Sequence, residues 1–587
     1  MDSFDSKKIE LHRGIEALKE CLGDAAIYLQ KVDTASGSQA TFLLPLPKDY
    51  VGIDRILTIS FPQDFPESSL KLSINPDTWL HWPHSVPGYL CLYATGQRPP
   101  YGDSITIVRE TMDRFKELMR LVIQDADPAE RKSHFDRELQ TYWSHQLSPA
   151  KHQIILLDRP AVASAMLVMD RPSTTIDNDE PYYWIASNEA TVNIHQRKLY
   201  RTSVSARALA DAAFYVKLKS VPSAKIPVAK SVLPWLGSYM SDTDRRLLDI
   251  WWKESSGFTV RWILVELPNS DPPAVQAFVF RDQGLKKNSV KRYGSRAGRR
   301  QHDPHVNSGT YLLQSARCHL LIEEVVYSRF MSAETRTLRQ KKIALIGAGS
   351  LGSPLAANLL RTGLGSLLLI DPDTFEDANL GRHVLGVDSL GQSKVKALAN
   401  KLQRDFPFAT IRYFDDFLGS VNKEMLKELL GVDLVINTTA NWAAEKCMWN
   451  IKGTITTWNC IQAWTEPHGL VSHALYCPAT ATVTPHYLFD IDGRFLHKFS
   501  KWPGDGLRRL PACGESFIVA GPIALSSSAL MIANMALEVL LKESPSTRWD
   551  TQIASVESIT EAGGEYVGEL ALSGVKQFTL TRKWPEE

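Results

Sequence analysis

Ile343-Ala-Leu-Ile-Gly-Ala-Gly-Ser-Leu-Gly352 decides the fold of the C-terminal half of the chain. A short apolar strand, Ile343 to Ile346, runs straight into Gly347, Gly349 and Gly352, and a helix is expected from Ser353 to Leu360. Strand, glycine turn and helix in that order build a nucleotide-binding unit. One glycine permits a tight turn, one lets backbone approach phosphate, and one lets the helix pack close to the strand. The helix N-terminus then offers unpaired N–H groups and a partial positive charge to an anion. By itself the motif suits NAD as well as ATP.

Working outward, a second strand, Ser366 to Ile370, ends in Asp371-Pro-Asp373, where a carboxylate can reach ribose hydroxyls. Asn379-Leu-Gly-Arg382 and Gly391-Gln-Ser-Lys394 follow. Cationic groups there suit a triphosphate and charge developing on its α-phosphate, a need that hydride transfer does not have. An NAD-dependent dehydrogenase would leave Asn379, Arg382 and Lys394 without a role. The array D-x-D, N-x-x-R, G-Q-x-K resembles the ThiF/MoeB adenylyltransferases and the ubiquitin-activating enzymes, from about Gln340 to the C-terminus.

That resemblance implies a Rossmann-like adenylation domain that uses ATP and Mg²⁺ to adenylate the C-terminal carboxylate of a small protein. It assigns Gly347, Gly349, Gly352, Asp371, Asp373, Asn379, Arg382 and Lys394 to the nucleotide, with Asp371 on ribose, Arg382 and Lys394 on phosphates, and Asp371 and Asp373 as the metal ligands. Arg329 resembles the family arginine that reaches phosphate, commonly across a dimer interface, with Arg336 and Arg339 as competitors; a homodimer is implied with it. The chain departs from the family twice. Many members have T-D-N where this one has Asn437-Thr-Thr-Ala-Asn441, so Ala440 replaces an Mg²⁺-binding aspartate, and the two zinc-binding C-x-x-C motifs are missing. Either Asp371 or Asp373 carries more of the metal contact, or adenylation is impaired.

The 587 residues, 44% hydrophobic with net charge +1, allow about three or four domains and give no general reason to expect a nucleic-acid partner. No apolar run is expected to approach the length needed to span a membrane, and the N-terminus lacks the apolar core of a signal peptide, so a cytoplasmic protein is expected. Seven cysteines are scattered without pairing, which indicates neither a disulfide framework nor a Cys-rich zinc site.

Toward the N-terminus, the spacing predicts a helix over 5–21, strands over Ala25 to Val32, Gln39 to Leu46 and Arg55 to Phe61, and helices over Ile105 to Leu121 and Pro128 to Ser144. Between them lie Phe61-Pro62, Phe65-Pro66, His81-Trp-Pro83-His84 and Gly88-Tyr-Leu-Cys91-Leu92. This order resembles the ubiquitin-conjugating fold over about Asp5 to His145 and implies an α+β domain with Cys91 as its catalytic residue. The family's His-Pro-Asn becomes His81-Trp82-Pro83, leaving the oxyanion donor unassigned, with His84 or Ser85 as neighbours that could supply a hydrogen bond.

Residues 151–305 carry no chemical motif: strands are predicted at Ile154 to Leu157, Ala165 to Met169, Val260 to Glu266 and Ala274 to Arg281, with a helix at Ser203 to Val216. The basic run from Lys286 to Arg300 reads as a solvated loop. Beyond the glycine motif, Pro511-Ala-Cys513-Gly-Glu-Ser516-Phe517 looks like the C-x-x-[PS]-[ST]-F loop of activating-enzyme-like proteins, which makes Cys513 the candidate for a first thioester. Cys21, Cys318, Cys447, Cys460 and Cys477 read as structural.

The expected fold class is α/β in three parts: a ubiquitin-conjugating-like α+β domain (1–147), a mixed α/β linker domain (148–305) and a ThiF-type adenylation domain (306–587). The order resembles bacterial fusions of ubiquitin-activating and ubiquitin-conjugating enzymes found with cGAS/DncV-like nucleotidyltransferases in CBASS anti-phage systems. The resemblance implies that the nucleotidyltransferase C-terminus is activated, relayed from Cys513 to Cys91, and conjugated to an amine of an acceptor protein, with no membrane or nucleic acid required. A sulfur-carrier adenylyltransferase, which leaves the first 305 residues idle, and a non-catalytic scaffold for a ubiquitin-like protein are the alternatives.

Overall fold

The computed structural model describes residues 3–33, 37–93, 103–170, 182–200, 208–268, 270–282, 311–328, 333–420, 422–454, 458–509, 516–542, 544, 546–568, 575 and 577–584, and every count or absence given below is of these. Cys513, Arg329 and the basic run 286–300 lie outside them. The chain divides into two compact units, Met1–Glu189 with Ala206–Leu321, and Ala190–Ser205 with Ile322–Glu587.

In the first unit a helix, α1 (Ser3–Leu22), leads into an antiparallel four-stranded meander, β1 (Gln30–Val32), β2 (Ser38–Leu46), β3 (Arg55–Pro62) and β4 (Lys71–Asn75). Alternation along β3 buries Leu57, Ile59 and Phe61 against Leu18 of α1 and against Val108 and Phe115 of α2 (Ser104–Val122). The first predicted strand is shorter than expected. Gly23–Tyr28 forms a 3-10 turn with no buried side chain, and a strand there would have no face to bury. The predicted helix over Pro128 to Ser144 is two helices, α3 (Pro128–Arg137) and α4 (Leu139–Gln146), broken at Glu138. A short hairpin, β5 (Ser85–Val86) and β6 (Tyr89–Leu90), turns on Gly88 at φ +89° and delivers Cys91 at its end.

Next comes a nine-stranded mixed sheet of β7 (Ser148–Pro149), β8 (Gln153–Leu156), β9 (Ser164–Asp170), β10 (Tyr182–Ala186), β11 (Ala208–Lys217), β12 (Val260–Glu266), β13 (Val275–Asp282), β14 (Tyr311–Ala316) and β15 (Cys318–Leu320), in spatial order β15-β8-β10-β9-β11-β12-β13-β14-β7. β11 corrects the helix predicted over Ser203 to Val216. Its alanines favour a helix locally, but the segment lies mid-sheet between β9 and β12. Alternation there sends Ala212, Phe214 and Val216 into one core and Ala213 and Tyr215 into the other. Burial on both faces outweighs local propensity.

The second unit is doubly wound. Five parallel strands, β16 (Lys342–Ile346), β17 (Ser366–Ile370), β18 (Thr410–Phe414), β19 (Leu434–Asn437) and β20 (Asn459–Thr465), stand in the order β18-β17-β16-β19-β20. Antiparallel β21 (Val471–Cys477), β25 (Arg548–Ile553) and β27 (Phe578–Arg582) extend the sheet, while small two-stranded ribbons pair β22 (Ser500–Lys501) with β26 (Glu565–Tyr566) and β23 (Leu507–Arg509) with β24 (Ser516–Ile518). The chain leaves β16 to opposite sides, toward β17 and toward β19, so the switch point lies between β16 and β19. Ligands of such sheets bind beyond the strands' carboxyl ends at that point.

One helix here corrects an expectation: Pro522–Leu541 is long and apolar enough to cross a membrane by length and composition. It is packed as a core helix, with Ala529, Ile532, Met535 and Ala536 fully buried beside the helix Gly352–Arg361.

The approach to Cys91 rests on a buried ion pair. Arg55 Nε donates to Asp49 Oδ2 at 2.9 Å, Trp82 Nε1 donates to the same oxygen at 3.1 Å, and Asp49 Oδ1 accepts the Val51 and Ile53 N–H groups. Burial opposes the Asp49 charge, but these donors outweigh it and hold the carboxyl below its ordinary range. Replacing Arg55 with Met strands that charge, and we expect a loss of about 3–5 kcal/mol in urea unfolding. Much of the loss should return in Asp49→Asn/Arg55→Met, because the double variant buries no charge.

Candidate functional site

At the carboxyl end of β16 the three glycines meet different demands. Gly347 has φ +91°, and a Cβ there would lie 2.9 Å from the Thr439 nitrogen of the loop after β19. A Cβ on Gly352 would lie 1.9 Å from the Gly347 carbonyl oxygen, so only glycine lets helix and strand approach this closely. Around Gly349 nothing lies within 4 Å of such a carbon, which leaves its backbone open to a ligand.

Three side chains clamp the turn. Asp371 Oδ2 accepts the Ala348 N–H at 2.7 Å, and its Oδ1 accepts the Asp373 N–H at 2.8 Å. Thr438 donates its hydroxyl to the Gly347 carbonyl at 2.8 Å. His383 Nδ1 accepts the Leu385 N–H at 3.1 Å, so its Nε2–H donates to the Ala348 carbonyl at 2.7 Å. Burial, with the Lys394 charge behind it, pushes His383 down to about 4, and the ring is neutral. Burial likewise pushes the Asp371 carboxyl up despite its backbone donors.

The cationic residues stand on the same loops. Lys394 Nζ lies 2.8 Å from Asp373 Oδ2, and its own N–H donates to the Asp373 carbonyl. Asn379 Oδ1 accepts the Glu376 N–H and closes a short turn, and its carbonyl accepts the Arg382 N–H. The buried Arg382 Nε, Asn437 Nδ2 and Ser353 Oγ have no protein partner. Orphaned donors beside an open glycine backbone and a helix N-terminus fit an acceptor-rich triphosphate. For Mg²⁺ the protein offers less. Asp371 spends both oxygens on backbone, Asp373 is 63% exposed, and no group of three metal-ligating side chains is present among the described residues. One carboxylate with phosphate oxygens and water suffices for that ion.

Ala440 sits at φ +49°, a left-handed conformation in which Asp or Asn is less strained than alanine. Of the arginines competing for phosphate, Arg339 is committed to Glu323 and to the Phe408 carbonyl, while Arg336 is exposed.

In the first unit, Cys91 is exposed and donates its N–H to the His84 carbonyl at 2.7 Å. Burial of part of the side chain and the nearby Glu138 charge push its thiol up. His84, at φ +57°, is held through its ring by Glu138 Oε1 at 2.6 Å, and through its N–H by Glu138 Oε2 and the Tyr142 hydroxyl. Ser85 is buried against Thr78. Sequence reasoning missed His383, Thr438, Glu138 and His134; only His383, adjacent to Arg382, carried a positional hint. Cys460 and Cys477 are buried, and burial raises both thiols, Cys477 to about 11.

The switch point, the glycine turn and its cationic rim define a nucleotide-binding unit of the doubly wound class. Residues 323–452 match the model of the ThiF family. Over 214 residues the chain is 29% identical to the ATP-dependent ubiquitin transferase-like protein Cap2 of Enterobacter hormaechei subsp. hoffmannii (strain UCI 50), covering 35% of each. Over 142 residues it is 33% identical to ubiquitin-like modifier-activating enzyme 5 of Aedes aegypti, covering 21% of this chain and 36% of the relative. The chain thus spans about a third of the length of these curated relatives. Among solved structures, PaaA aligns at 20% identity over 42% of this chain and 65% of its own, with a TM-score of 0.30, too low to carry an argument. The matched segment is thus similar to the ThiF family and to ubiquitin-like modifier-activating enzymes.

Gly352→Ala should lower the urea stability of the second unit by about 1–3 kcal/mol through overpacking, whereas Gly349→Ala should leave it unchanged. Acid titration supplies a second check. Between about pH 6.5 and 4 the unfolded chain binds a proton at His383 that the folded chain does not, so stability falls as pH drops through that window. His383→Gln should flatten that fall.

Proposed function

We propose that the protein is an ATP-dependent ubiquitin-like protein transferase that joins activating and conjugating activities in one chain. One observation carries this reading: the backbone at Gly349 is open, and the turn it belongs to is tied through Asp371 and His383 to the loops holding Lys394 and Arg382, whose buried Nε lacks a partner. A substrate carboxylate attacks the α-phosphate of ATP and expels pyrophosphate, with Arg382 and Lys394 stabilising the charge. Mg²⁺, held by Asp373 with Asp371 behind it, neutralises phosphate charge when bound. The Cys513 sulfur attacks the acyl carbon and expels AMP, the acyl group passes to Cys91, and an acceptor amine takes it as an amide. Each thioester retains the free energy drawn from ATP and divides one difficult acyl transfer into easier steps.

The similarity to an ATP-dependent ubiquitin transferase-like protein supports a protein substrate; a cGAS/DncV-like nucleotidyltransferase C-terminus as that substrate, a role in CBASS anti-phage defence, a homodimer and a cytoplasmic site of action are part of the same proposal. The corresponding domains are 1–147, 148–305 and 306–587. Ala440 and the engaged oxygens of Asp371 favour, as a second reading, a scaffold that binds such a partner without adenylating it.

Pyrophosphate exchange into ATP, with a DncV-like nucleotidyltransferase present, separates the two. Exchange should fall about 10²-fold or more in Lys394→Ala and Arg382→Ala. Cys513→Ala should keep exchange but lose the thiol-sensitive adduct on non-reducing gels, and Cys91→Ala should keep an adduct yet form no conjugate. Neither exchange nor adduct in the wild type would leave the scaffold.

A further inference from the structure

Cys91 does not stand alone on its loop. The Cys91 N–H bonds to the His84 carbonyl, which continues the β5–β6 hairpin and places the two residues across from one another. His84 Nδ1 meets Glu138 Oε1 at 2.6 Å, and His84 Nε2 meets His134 Nδ1 at 2.9 Å. A carboxylate and two imidazoles thus form a continuous chain of hydrogen bonds beside an exposed cysteine. No hydrogen bond to His134 Nε2 is present, so the chain has one free end.

The geometry fixes the direction of this chain. Burial opposes the charge of Glu138, but the His84 ring, the Tyr142 hydroxyl and the His84 N–H outweigh it, and the carboxylate is ionised. An ionised carboxylate only accepts, so His84 Nδ1 carries its proton toward Glu138. With one proton between the two rings, His84 Nε2 accepts from His134 Nδ1–H, and His134 Nε2 is then the acceptor at the end of the chain. Burial, the largest cause, pushes His134 down, which favours the unprotonated ring. The titratable and charged groups facing His84 are Glu138, Tyr142, His134 and Cys91, and those facing His134 are His84, Glu130, Arg137 and Glu138.

A lysine amine meets a thioester mostly as its ammonium, because its ordinary pKa is about 10.4, and only the neutral form attacks. We propose that the Glu138–His84–His134 relay accepts the proton of the acceptor amine that discharges Cys91. This rests on the reading of Cys91 as an acyl carrier and names its proton acceptor. The amine nitrogen attacks the thioester carbonyl carbon, the C–N bond forms, and the C–S bond breaks. Of the two protons the ammonium loses in becoming an amide, one passes to the imidazole pair and from there to the departing Cys91 sulfur and the other is released to water, so the relay ends as it began. The raised Cys91 thiol favours that last transfer. Glu138 acts through His84 and is a positioning residue. It also explains the broken helix: Glu138 ends α3 and receives the His84 N–H together with its ring.

The test loads Cys91 chemically, without ATP or a protein substrate. The full chain is incubated with a small N-acetylglycyl thioester, and acyl transfer to Cys91 is followed by mass spectrometry of its peptide. Excess thioester is removed, and discharge is timed with free lysine and with hydroxylamine, whose amine is already neutral at pH 7. His134→Gln and Glu138→Gln should each slow discharge to lysine about 10²-fold at pH 7. Hydroxylamine should discharge both variants as fast as wild type, and the lysine rate should recover as pH rises toward the amine's own pKa. Unchanged lysine rates in both variants would overturn the relay, as would an equal loss toward hydroxylamine, which signals a displaced loop. A loaded wild type that transfers to neither amine would overturn the relay together with the reading of Cys91 on which it rests.

Discussion

A carbon on Gly352 would sit 1.9 Å from the Gly347 carbonyl, and this single close approach sets the spacing of helix and strand on which the second unit is built. Once helix and strand are that close, the turn between them has no room to wander. Its Ala348 N–H meets the Asp371 carboxylate at the end of the next strand. Hydrogen bonds to a charged acceptor are each worth about 1.5–3 kcal/mol, enough to hold two strand ends in register. The Lys394 loop then hangs from Asp371 through Asp373, and the Arg382 loop from the turn itself through His383. The rim of the site is therefore a consequence of the turn.

The same device recurs away from the nucleotide turn. Asp49 receives the Val51 and Ile53 N–H groups, Glu466 receives those of Phe499 and Ser500, and Glu138 receives that of His84. Asp49 ties down its own loop, while Glu466 and Glu138 tie down the backbone of a separate segment, where regular ladders cannot supply partners. Such ties give loops fixed shapes without the bulk of a core. Glu466 adds His473, whose Nδ1 accepts from Trp549, so its Nε2–H points to the carboxylate and the buried pair carries one charge. Burial outweighs the Glu466 contact and keeps that imidazole neutral.

Much of the second unit was legible because its strands are buried on both faces and read as short apolar runs: Ile343 to Ile346 and Ser366 to Ile370 both lie in the observed sheet. The glycines were legible because their spacing reflects a steric limit. Less visible were features that depend on partners distant in sequence. Ala208–Lys217 carries a helical composition, yet it becomes a strand because β9 and β12 flank it. Glu138 sits in a run with helical spacing, but His84, more than fifty residues away, draws its side chain and ends the helix. His383 shows the same limit: nothing local announces that its ring clamps the Ala348 carbonyl. The length of Pro522–Leu541 suffices to cross a membrane, contrary to expectation, and its burial in the core is what marks it as a core helix.

Access, more than acidity, separates the cysteines. A thiol attacks as its thiolate. Burial raises Cys318 to about 12 and Cys477 to about 11, so at neutral pH a fraction of only about 10⁻⁴ or less of either is ionised. Cys477 is buried within β21 and offers no approach for an acyl group, while Cys318 is half-buried against the core of the nine-stranded sheet. Cys91 is also pushed up, and by acidity alone it would be a poor nucleophile. It differs in standing exposed at the end of a hairpin, across from a histidine that a carboxylate orients. A cysteine whose own pKa is unfavourable must borrow its proton chemistry from a neighbour, and this loop provides one.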